Sequence, residues 1–513
     1  MECLESKELL TNMGLLDKYP FTETELETLV RCHGEMKQKN SFATYLGKLA
    51  KIANDKGGDD NVAGDEWVVV PSCKKVEVSE NILPSGFGSR LEGVINSAFV
   101  FAYSEPSNEE AVSLETFLEG VAMCCGRRGV DASRRSLFGC CKQEKGSANA
   151  GQIIDLCYRL GAASNALCPY TDREFGITDD VSYSRGLESL VKSLANEEGG
   201  ASVPIRIRTF LDWADNTAPM IASPLETFVE SLLFGSINRA AFQLPDLQGQ
   251  PSVFFDENMS CSRLFEISSL APCFCGKFQR IFSPSDGFCF NRLQHSLLGY
   301  SGPTLMIIKA VSGGVFGAFT TSQWKESPSF YGNSDMFLFQ LEPQLKVFRP
   351  IEEAKQTKLS KNYMYFNSQA TAKGAVNGLG FGGTMEKPRL FISETFEGCE
   401  AGTFDYTFEP GSLLASEWDR YFDIEDIEVW GIGTEETLSD ALRQRNQQQG
   451  ITSSNARKAQ MVDKSALLCD FSAGFMENKM FAHQAHVSQR TDINISSNGG
   501  AHSTDVEVSR CEA

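Results

Sequence analysis

The sequence lacks long hydrophobic segments and any targeting signal at its start. Among its 513 residues there is no uninterrupted apolar run of about 18, the length that a membrane-spanning helix needs. The first residues, Met1–Glu5, are acidic where a secretory signal would be basic and then apolar. Glu2 stands where N-myristoylation requires glycine. These absences predict a cytoplasmic protein.

Positive charge is also scarce, because the formal net charge is −20. A surface of this sign repels phosphate backbones, which nucleic-acid-binding proteins neutralise with lysine and arginine. The nearest approach to a basic patch consists of Arg127, Arg128, Arg134 and Arg135. We interpret these four as a solvated helix end and loop. The composition therefore excludes nucleic acid as the expected partner.

Histidine is rare, and no cysteine spacing is typical of zinc. Only five histidines are present, and three of them lie beyond residue 480. Cys273 and Cys275 are separated by one residue, whereas zinc sites use C-x₂₋₄-C, and no histidine completes a set with Cys261 or Cys289. We expect no metal and no cofactor.

The remaining cysteines are expected to be free thiols. The vicinal pairs Cys124/Cys125 and Cys140/Cys141 occur in apolar or helical segments, where buried packing residues are the expected role. A redox-sensitive role for these pairs remains an alternative.

The N-terminal half has the pattern of amphipathic helices with defined ends. Thr22 and Glu25 have the spacing of a capping box, with Phe21 positioned as part of a hydrophobic staple. Ser113 is placed to cap a helix over 114–125, and Ser223 opens another. Residues 1–255 are therefore predicted to be an all-α region.

The helix pairs of this region suggest EF-hands, but their calcium ligands are missing. The best loop, Cys141–Gln152, has a glycine at the turn position yet carries Lys145 where a calcium ligand belongs. Its last position is Gln152 rather than the bidentate glutamate. The acidic loop at 54–66 has no correctly spaced ligand set either. We predict a degenerate, EF-hand-like fold that does not bind calcium.

From about residue 300 onward the pattern changes to short strands separated by Gly, Pro or Asn. The predicted strands are 304–311, 314–320, 335–341, 345–348, 362–366, 389–393 and 424–432. Without helices between most of them, they favour an antiparallel sandwich. The fold class is predicted as α+β, a helical region followed by an antiparallel β-sandwich with a few helices. A helical extension over 434–465 and a disordered tail over 485–513 are expected after it.

Two segments resemble catalytic or cofactor motifs. Residues 378–383 contain G-x-G-x-x-G, but no helix follows to bind a pyrophosphate, so we interpret the segment as a loop between strands. Ser301 lies in a sequence similar to a nucleophile elbow but lacks its final glycine. His295 and Cys289 are the nearest possible partners, and no acidic residue is placed to orient the histidine. No catalytic residue is predicted.

Eight short segments of the C-terminal half occur in the order and at the spacing of one known family. They are Ser285–Leu293, Gly302–Lys309, Val315–Phe319, Trp324 with Phe330–Gly332, Met336–Phe339, Asn362–Tyr363 with Gly382–Gly383, Leu390, and Glu428–Gly431. Together they resemble the TLDc domain, over residues 262–433. The upstream helices resemble a subgroup in which degenerate EF-hand-like helices precede this domain.

The resemblance implies binding rather than turnover. Members engage the peripheral sector of the vacuolar-type proton ATPase, modulate its assembly or activity, and are linked to oxidative-stress resistance. By this resemblance we expect a non-enzymatic adaptor, cytoplasmic and recruited to vacuolar or lysosomal membranes, with the segment 435–462 contributing to the contact. Two alternatives remain: a signalling scaffold acting through the helical half, and a cryptic hydrolase or thiol-based antioxidant enzyme.

Overall fold

The computed structural model describes most of the chain between residues 14 and 443. All the described residues belong to the compact unit Met1–Gln444. They are 14–38, 113–141, 146–167, 185–195, 202–234, 242–248, 252–255, 260–351, 361–368, 377–433, 436–439 and 443. The predicted tail at 485–513 and the acidic loop at 54–66 lie outside them. So does most of the predicted extension at 434–465, of which residues 436–439 are helical.

Helices dominate the N-terminal part, as its sequence pattern predicts. They are α1 (Leu15–Lys18), α2 (Glu23–Gln38), α3 (Leu114–Cys124), α4 (Val130–Cys140), α5 (Ala150–Leu167), α6 (Arg185–Ala195), α7 (Ile207–Asn216) and α8 (Ser223–Phe234). The capping box is confirmed, because the Thr22 backbone N–H donates to Glu25 at 2.7 Å. Ser113 caps α3 by accepting from the Thr116 N–H at 3.2 Å.

Two helix–loop–helix units are joined by a short sheet, so the N-terminal region is not entirely helical. Strand β1 (Ser147–Asn149) pairs antiparallel with β2 (Pro204–Arg206), and Ala148 lies opposite Ile205. Strand β1 falls inside the predicted EF-hand-like loop, between α4 and α5. Lys145, which stands where a calcium ligand belongs, lies outside the described residues. The EF-hand-like interpretation of this pair stays a prediction.

The C-terminal part is a sandwich of two sheets, which confirms the α+β class. One sheet has the strand order β3-β4-β15-β5-β6-β8-β9 and the other β14-β13-β12-β11-β10-β7. All neighbouring strands are antiparallel except β3 and β4. The strands are β3 (Asp246–Gln248), β4 (Lys277–Phe282), β5 (Thr304–Ala310), β6 (Val315–Thr320), β7 (Ser327–Tyr331), β8 (Phe337–Glu342), β9 (Lys346–Phe348), β10 (Met364–Asn367), β11 (Gly378–Gly383), β12 (Pro388–Ser393), β13 (Cys399–Ala401), β14 (Tyr421–Phe422) and β15 (Ile424–Ile432).

Helices α9 (Ser260–Ser268) and α10 (Phe290–Leu298) flank strand β4 in sequence, together with two 3₁₀ turns, Pro272–Phe274 and Pro284–Asp286. Helix α10 packs its apolar side, including Leu293 and Leu297, into the core between the sheets. Among the described residues no helix is both long enough and apolar enough to cross a membrane.

The core between the two sheets is filled by alternate residues of both. Met306 and Ile308 of β5 meet residues such as Leu379 and Phe381 of β11 in one hydrophobic cluster. Alternation arises because successive side chains of a strand point to opposite faces. Phe316 of β6 lies in this cluster as well.

The opposite face of the seven-stranded sheet is buried under the helical region. Leu305 and Ile307 of β5 belong to the same cluster as Phe265 of α9 and Leu190 of α6. Four large aromatic residues of the sheet also lie on this side: Phe319, Phe337, Phe339 and Trp430. The helical region and the sandwich therefore share one continuous core.

Helices α6 and α9 both form hydrogen bonds to residues at the end of strand β8. The Ser189 hydroxyl donates to the Leu341 carbonyl of β8 at 2.7 Å. Gly186 lets the two helices approach, since a β-carbon there would lie 2.7 Å from the Ser262 carbonyl carbon. Beside it, buried Arg263 donates to Glu266 at 2.5 Å and also to Glu342 at the end of β8.

Candidate interaction site

The exposed aromatic side chains of the described residues all belong to one segment of the chain, 404–421. Phe404, Tyr406, Trp418 and Tyr421 are each at least half exposed, and Trp418 is 95% exposed. We call these four residues the aromatic corner. Single exposed apolar residues are common, but a cluster of aromatic ones typically marks a binding surface. No other large aromatic residue in the described ranges is exposed to this degree.

The aromatic corner is built from two neighbouring chain segments at the edge of the six-stranded sheet. Strand β13 pairs with β14, with Glu400 opposite Tyr421. The pairing continues beyond the strands, because the Ala401 N–H donates to the Arg420 carbonyl at 2.8 Å. Phe404 and Tyr406 contact each other edge to face, with ring centroids 5.5 Å apart. The corner therefore has a defined position on the scaffold.

A buried ion pair holds the segment that carries Phe404 and Tyr406. The Arg389 guanidinium of β12 donates to the carbonyls of Gly402 and Gly411, and its Nε lies 3.5 Å from Asp405. The Asp405 carboxylate accepts from the backbone N–H groups of Gly383 at 3.0 Å and Thr407 at 2.9 Å. These bonds fix both ends of the loop between β13 and Gly411, so its two aromatic rings project from a rigid base.

Burial shifts the pKa values of both charged groups toward their neutral forms. It lowers the pKa of Arg389 to about 10, a change that nearby Asp405 opposes. It raises the pKa of Asp405 above its ordinary value, opposed by the backbone donor of Thr407 and by Arg389. Desolvation thus exceeds the attraction within the pair, as is common for buried salt bridges. The pair acts in positioning the loop.

A row of residues in register crosses the outer face of the six-stranded sheet and ends at the corner. Tyr365, Gly380, Phe391, Glu400 and Tyr421 lie opposite one another on five successive strands. Their neighbours along each strand point into the core between the sheets. The outer face is thus lined by aromatic rings that become progressively more exposed toward Tyr421.

The surroundings of the corner are acidic. Residues 394–423 contain eight carboxylate side chains and a single cation, Arg420. Arg420 is already paired with Glu400 at 3.1 Å and lies 5.9 Å over the Tyr421 ring. Five of the carboxylates are on exposed residues: Glu394, Glu397, Glu417, Asp419 and Asp423. The corner therefore combines aromatic faces with negative charge.

The residues considered for hydrolysis do not form a catalytic arrangement. Cys289 precedes the first turn of α10, His295 lies in its last turn, and Ser301 follows the helix. All three are exposed, and within residues 260–351 no hydrogen bond joins any two of them. Tyr300, between His295 and Ser301, is buried, and its hydroxyl donates to the Ile432 carbonyl at 2.8 Å.

The G-x-G-x-x-G segment is a strand, so its interpretation as a loop was wrong. Residues 378–383 form β11, paired on both sides. A β-carbon at Gly380 would lie 2.1 Å from Cε1 of Tyr365, and one at Gly378 would lie 2.6 Å from Cε2 of Phe391. These glycines make room for aromatic rings that lie across the strand. Gly383 has a φ of +68°, which turns its N–H toward Asp405.

The interpretation of the arginines as a solvated group was wrong for two of the four. The Arg127 side chain is only 9% exposed and donates to Glu25 and Glu230. Burial by itself would raise the pKa of Glu25. The hydrogen bond from Arg127 and those from Thr22 outweigh this effect and lower that pKa to about 2. Arg134 is buried and pairs with Asp215. Only Arg128 and Arg135 are exposed.

The cysteine pairs occupy core positions. Cys124 and Cys125 are buried, and Cys140 and Cys141 are half-buried. Burial raises the pKa of the Cys124 thiol to about 11, partly opposed by its hydrogen bond with Ser136. Burial also raises the pKa of Cys140. Such shifts disfavour the reactive thiolate. In the described ranges no group of three or more His, Cys, Asp or Glu residues is arranged to hold a metal ion.

The aromatic corner was missed by the sequence analysis, although one signal for it exists. Residues 417–421, Glu-Trp-Asp-Arg-Tyr, place two aromatic residues among charged ones. Two residues on either side of Trp418 stand polar Ser416 and Arg420, whereas Trp430 has apolar Ile432 on one side and Glu428 on the other. Exposure could be inferred from that contrast, but the proximity of residues 404 and 406 could not.

Comparison with known proteins assigns the C-terminal part to a family. The family model described as the TLDc domain matches residues 259–433. The chain is 34% identical over 160 residues to the Xenopus laevis protein named MTOR-associated protein MEAK7. The aligned region covers 31% of this chain and 32% of that relative. The match to the Danio rerio protein of the same name is 33% over 148 residues, covering 29% and 30%.

A second kind of relative matches over a similar length. Oxidation resistance protein 1 of Homo sapiens is 29% identical over 145 residues, which is 28% of this chain and 14% of that protein. The matched region thus spans about a third of the length of the two MEAK7 relatives and a smaller share of oxidation resistance protein 1.

Proposed function

Residues 259–433 form a TLDc domain, and on that premise we propose that the chain is a non-enzymatic adaptor. Its partner, in this proposal, is the peripheral sector of the vacuolar-type proton ATPase, whose assembly or activity it modulates. The protein would act in the cytoplasm and at the surface of vacuolar or lysosomal membranes. A link to oxidative-stress resistance is supported by the names of the relatives called oxidation resistance protein 1.

The observation that carries the proposal is the aromatic corner. Aromatic residues are enriched where proteins bind proteins, because they bury a large area at a low cost in side-chain entropy. The corner is held by buried contacts of Arg389 and Asp405, so a partner meets a preorganised surface. The choice of the proton pump as partner rests on the resemblance of the domain to its family.

The proposal is tested with the intact chain and purified peripheral sector. The two are mixed and separated by size-exclusion chromatography, and the ATP hydrolysis of the sector is measured with and without the chain. We expect co-elution and a change in the hydrolysis rate that saturates with added protein. If the chain elutes alone at micromolar concentrations of both components and the rate is unchanged, the proposal is wrong.

Truncation is an unsuitable control, because the helical region covers one face of the seven-stranded sheet. Removing residues 1–200 would delete helix α6, whose Ser189 hydroxyl donates to the Leu341 carbonyl of β8, and with it Leu187 and Leu190 of the shared core. A loss of binding would then report on unfolding rather than on the interface. Variants of exposed residues in the helical region, such as Val130→Ala, keep the fold and serve as the matched control.

A second candidate function is a signalling scaffold acting through the helical half. It is favoured by the relatives from Xenopus laevis and Danio rerio, which are named as associated with mTOR. Exchanging exposed residues of α1 to α4 while keeping the sandwich unchanged distinguishes it. Under this alternative, location and partners follow the helical region. Under the adaptor proposal they follow the sandwich.

An enzymatic function is the third candidate. It would require turnover that depends on Ser301, Cys289 or His295, all of which are exposed and replaceable without disturbing the core. The double variant Ser301→Ala/Cys289→Ala would then lose hydrolysis or peroxide reduction measured on the wild-type protein. We expect no difference between the two proteins in either assay.

A further inference from the structure

We propose that the aromatic corner is the docking surface for a lysine- or arginine-rich segment of a protein partner. The inference rests on the proposed function as an adaptor and adds the chemistry of the contact. Trp418 and Tyr421 are the expected anchors, because they are the most exposed aromatic residues of the corner. The surrounding carboxylates supply the complementary charge.

Aromatic rings and carboxylates occur together in the segment 394–423. A cation is attracted to the face of an aromatic ring, most strongly to tryptophan, and to a carboxylate at the same time. Glu417 and Asp419 flank Trp418 directly. An apolar partner would leave these carboxylates desolvated without a counter-charge, and an acidic partner would be repelled. A basic segment satisfies both parts of the surface.

The protein already makes one contact of this type, at Tyr421. The Arg420 guanidinium lies over the Tyr421 ring while its Nη2 pairs with Glu400 at 3.1 Å. One cation is thus bound by an aromatic ring and a carboxylate together. Trp418 has no cation over its ring among the described residues, although it lies between two carboxylates in the chain. An incoming lysine or arginine would repeat the arrangement at Trp418.

Trp418 and Tyr421 are not part of the core between the sheets. Phe422 and Ile424, which alternate with Tyr421, point into the core between the sheets. Replacing Trp418 or Tyr421 therefore removes little buried area, and the domain does not need them to fold. A tryptophan that is 95% exposed contributes little to the fold, and binding gives it a role.

The experiment measures binding of a defined basic peptide to the full chain. The probe is a fluorescein-labelled peptide of alternating arginine and serine, about a dozen residues long, and binding is followed by fluorescence anisotropy. A peptide of the same length with glutamate in place of arginine is the charge-reversed probe. We expect binding of the basic peptide only. Trp418→Ala/Tyr421→Ala should weaken it about tenfold, the loss expected for two exposed cation–aromatic contacts.

A charge variant separates the carboxylates from the rings. Glu417→Gln/Asp419→Asn should weaken binding about threefold at low ionic strength and less at high salt. The matched control, Asp212→Asn/Asp335→Asn, removes two exposed carboxylates that lie outside residues 394–423. It should leave the affinity within about twofold of wild type. Equal losses in the two charge variants would mean that the peptide follows net charge alone, and the inference would be wrong.

A second arm identifies the partner segment in the complex with the peripheral sector. A photoreactive benzophenone amino acid is placed at position 418, and at position 130 as the control. Crosslinks from 418 to a segment rich in lysine or arginine support the inference, and crosslinks to acidic or apolar segments overturn it. An intact complex without crosslinks from 418 overturns it as well.

The two proposals fail in different ways. If the sector does not bind at all but the basic peptide does, with the tenfold loss in the aromatic variant, the pump proposal is wrong and the docking surface stands. If the sector binds equally well to wild type and to Trp418→Ala/Tyr421→Ala, and the peptide does not discriminate them, the adaptor proposal stands and the docking surface is wrong.

Discussion

The two sheets of the sandwich differ in how many of their faces are covered. The seven-stranded sheet is buried on both sides, by the other sheet and by the helical region, and nearly every residue of β5, β6 and β8 is buried. The six-stranded sheet is buried on its inner side, while its outer side opens from buried Tyr365, through half-buried Phe391, to the exposed aromatic corner. One sheet thus stabilises the fold, and the other presents a surface.

This difference separates residues that matter for stability from residues that matter for binding. Trp430 and Trp418 illustrate it, because they lie only twelve positions apart and have opposite environments. Trp430 is fully buried, contacts Phe255 edge to face at 5.7 Å, and donates its Nε1–H to Glu428. Trp418 is almost fully exposed. A substitution at Trp430 would therefore act through lost stability, and one at Trp418 through lost binding.

The sharpest test of the comparison replaces each tryptophan by alanine. Trp430→Ala should lower the free energy of unfolding by about 3–5 kcal/mol, because it leaves a cavity and removes a donor to buried Glu428. Trp418→Ala should change it by less than about 0.5 kcal/mol. Urea unfolding followed by circular dichroism measures both. Similar values for the two variants would contradict the assignment of covered and open faces.

The second test concerns Glu266, whose carboxyl group is fully buried where the helices cover the seven-stranded sheet. Burial raises the pKa of Glu266 to about 7, against the opposing effect of Arg263. The folded state therefore holds this proton more tightly than the unfolded state does. The resulting stability is fully present below the ordinary pKa near 4.5 and is lost as the pH rises through about 7.

Glu266→Gln should remove this dependence while Arg263 keeps its pairing with Glu342. We expect the variant to be more stable than wild type at pH 8, by on the order of 2 kcal/mol, and similar near pH 4.5. Thermal unfolding at both pH values measures the difference. A constant offset between the two proteins across this range would show that Glu266 does not titrate there.

The third and smallest test is placed on the outer face of the six-stranded sheet. Gly380→Ala would press a methyl group into the Tyr365 ring and should cost about 1–3 kcal/mol. Gly34→Ala in helix α2, with no atom within 4 Å of the new β-carbon, is the control and should raise stability by up to about 1 kcal/mol. If Gly380→Ala is equally harmless, the aromatic row is looser than its packing indicates. Equilibrium unfolding in urea resolves the two.

The strands that sequence reasoning found are those with continuous apolar runs. Strands β5, β6, β8 and β15 are buried on both faces, so their pattern is strong and their predicted bounds agree with the structure within about two residues. Strands β7 and β11 were missed because Pro328 and a series of glycines normally end strands. Gly378 and Gly380 are compatible with a strand only because Phe391 and Tyr365 cover them.

Contacts between distant parts of the chain account for the other misses. Arg127 is charged and follows a glycine, which is typical of a solvated turn, yet its partner Glu25 lies 102 residues away. The aromatic corner depends in the same way on the pairing of β13 with β14 and on Arg389. The local sequence pattern can identify such residues, but it does not show which of them contact each other in the fold.

The position of strand β15 has a consequence for how the protein is made. This last strand lies between β4 and β5, in the middle of the seven-stranded sheet. Strands β4 and β5 cannot complete their pairing until Ile432 has been synthesised, about 150 residues after β4. At ordinary rates of translation this interval lasts roughly 8–30 s. During that time two apolar strand edges remain unpaired on the nascent chain, which makes this domain an expected client of chaperones during synthesis.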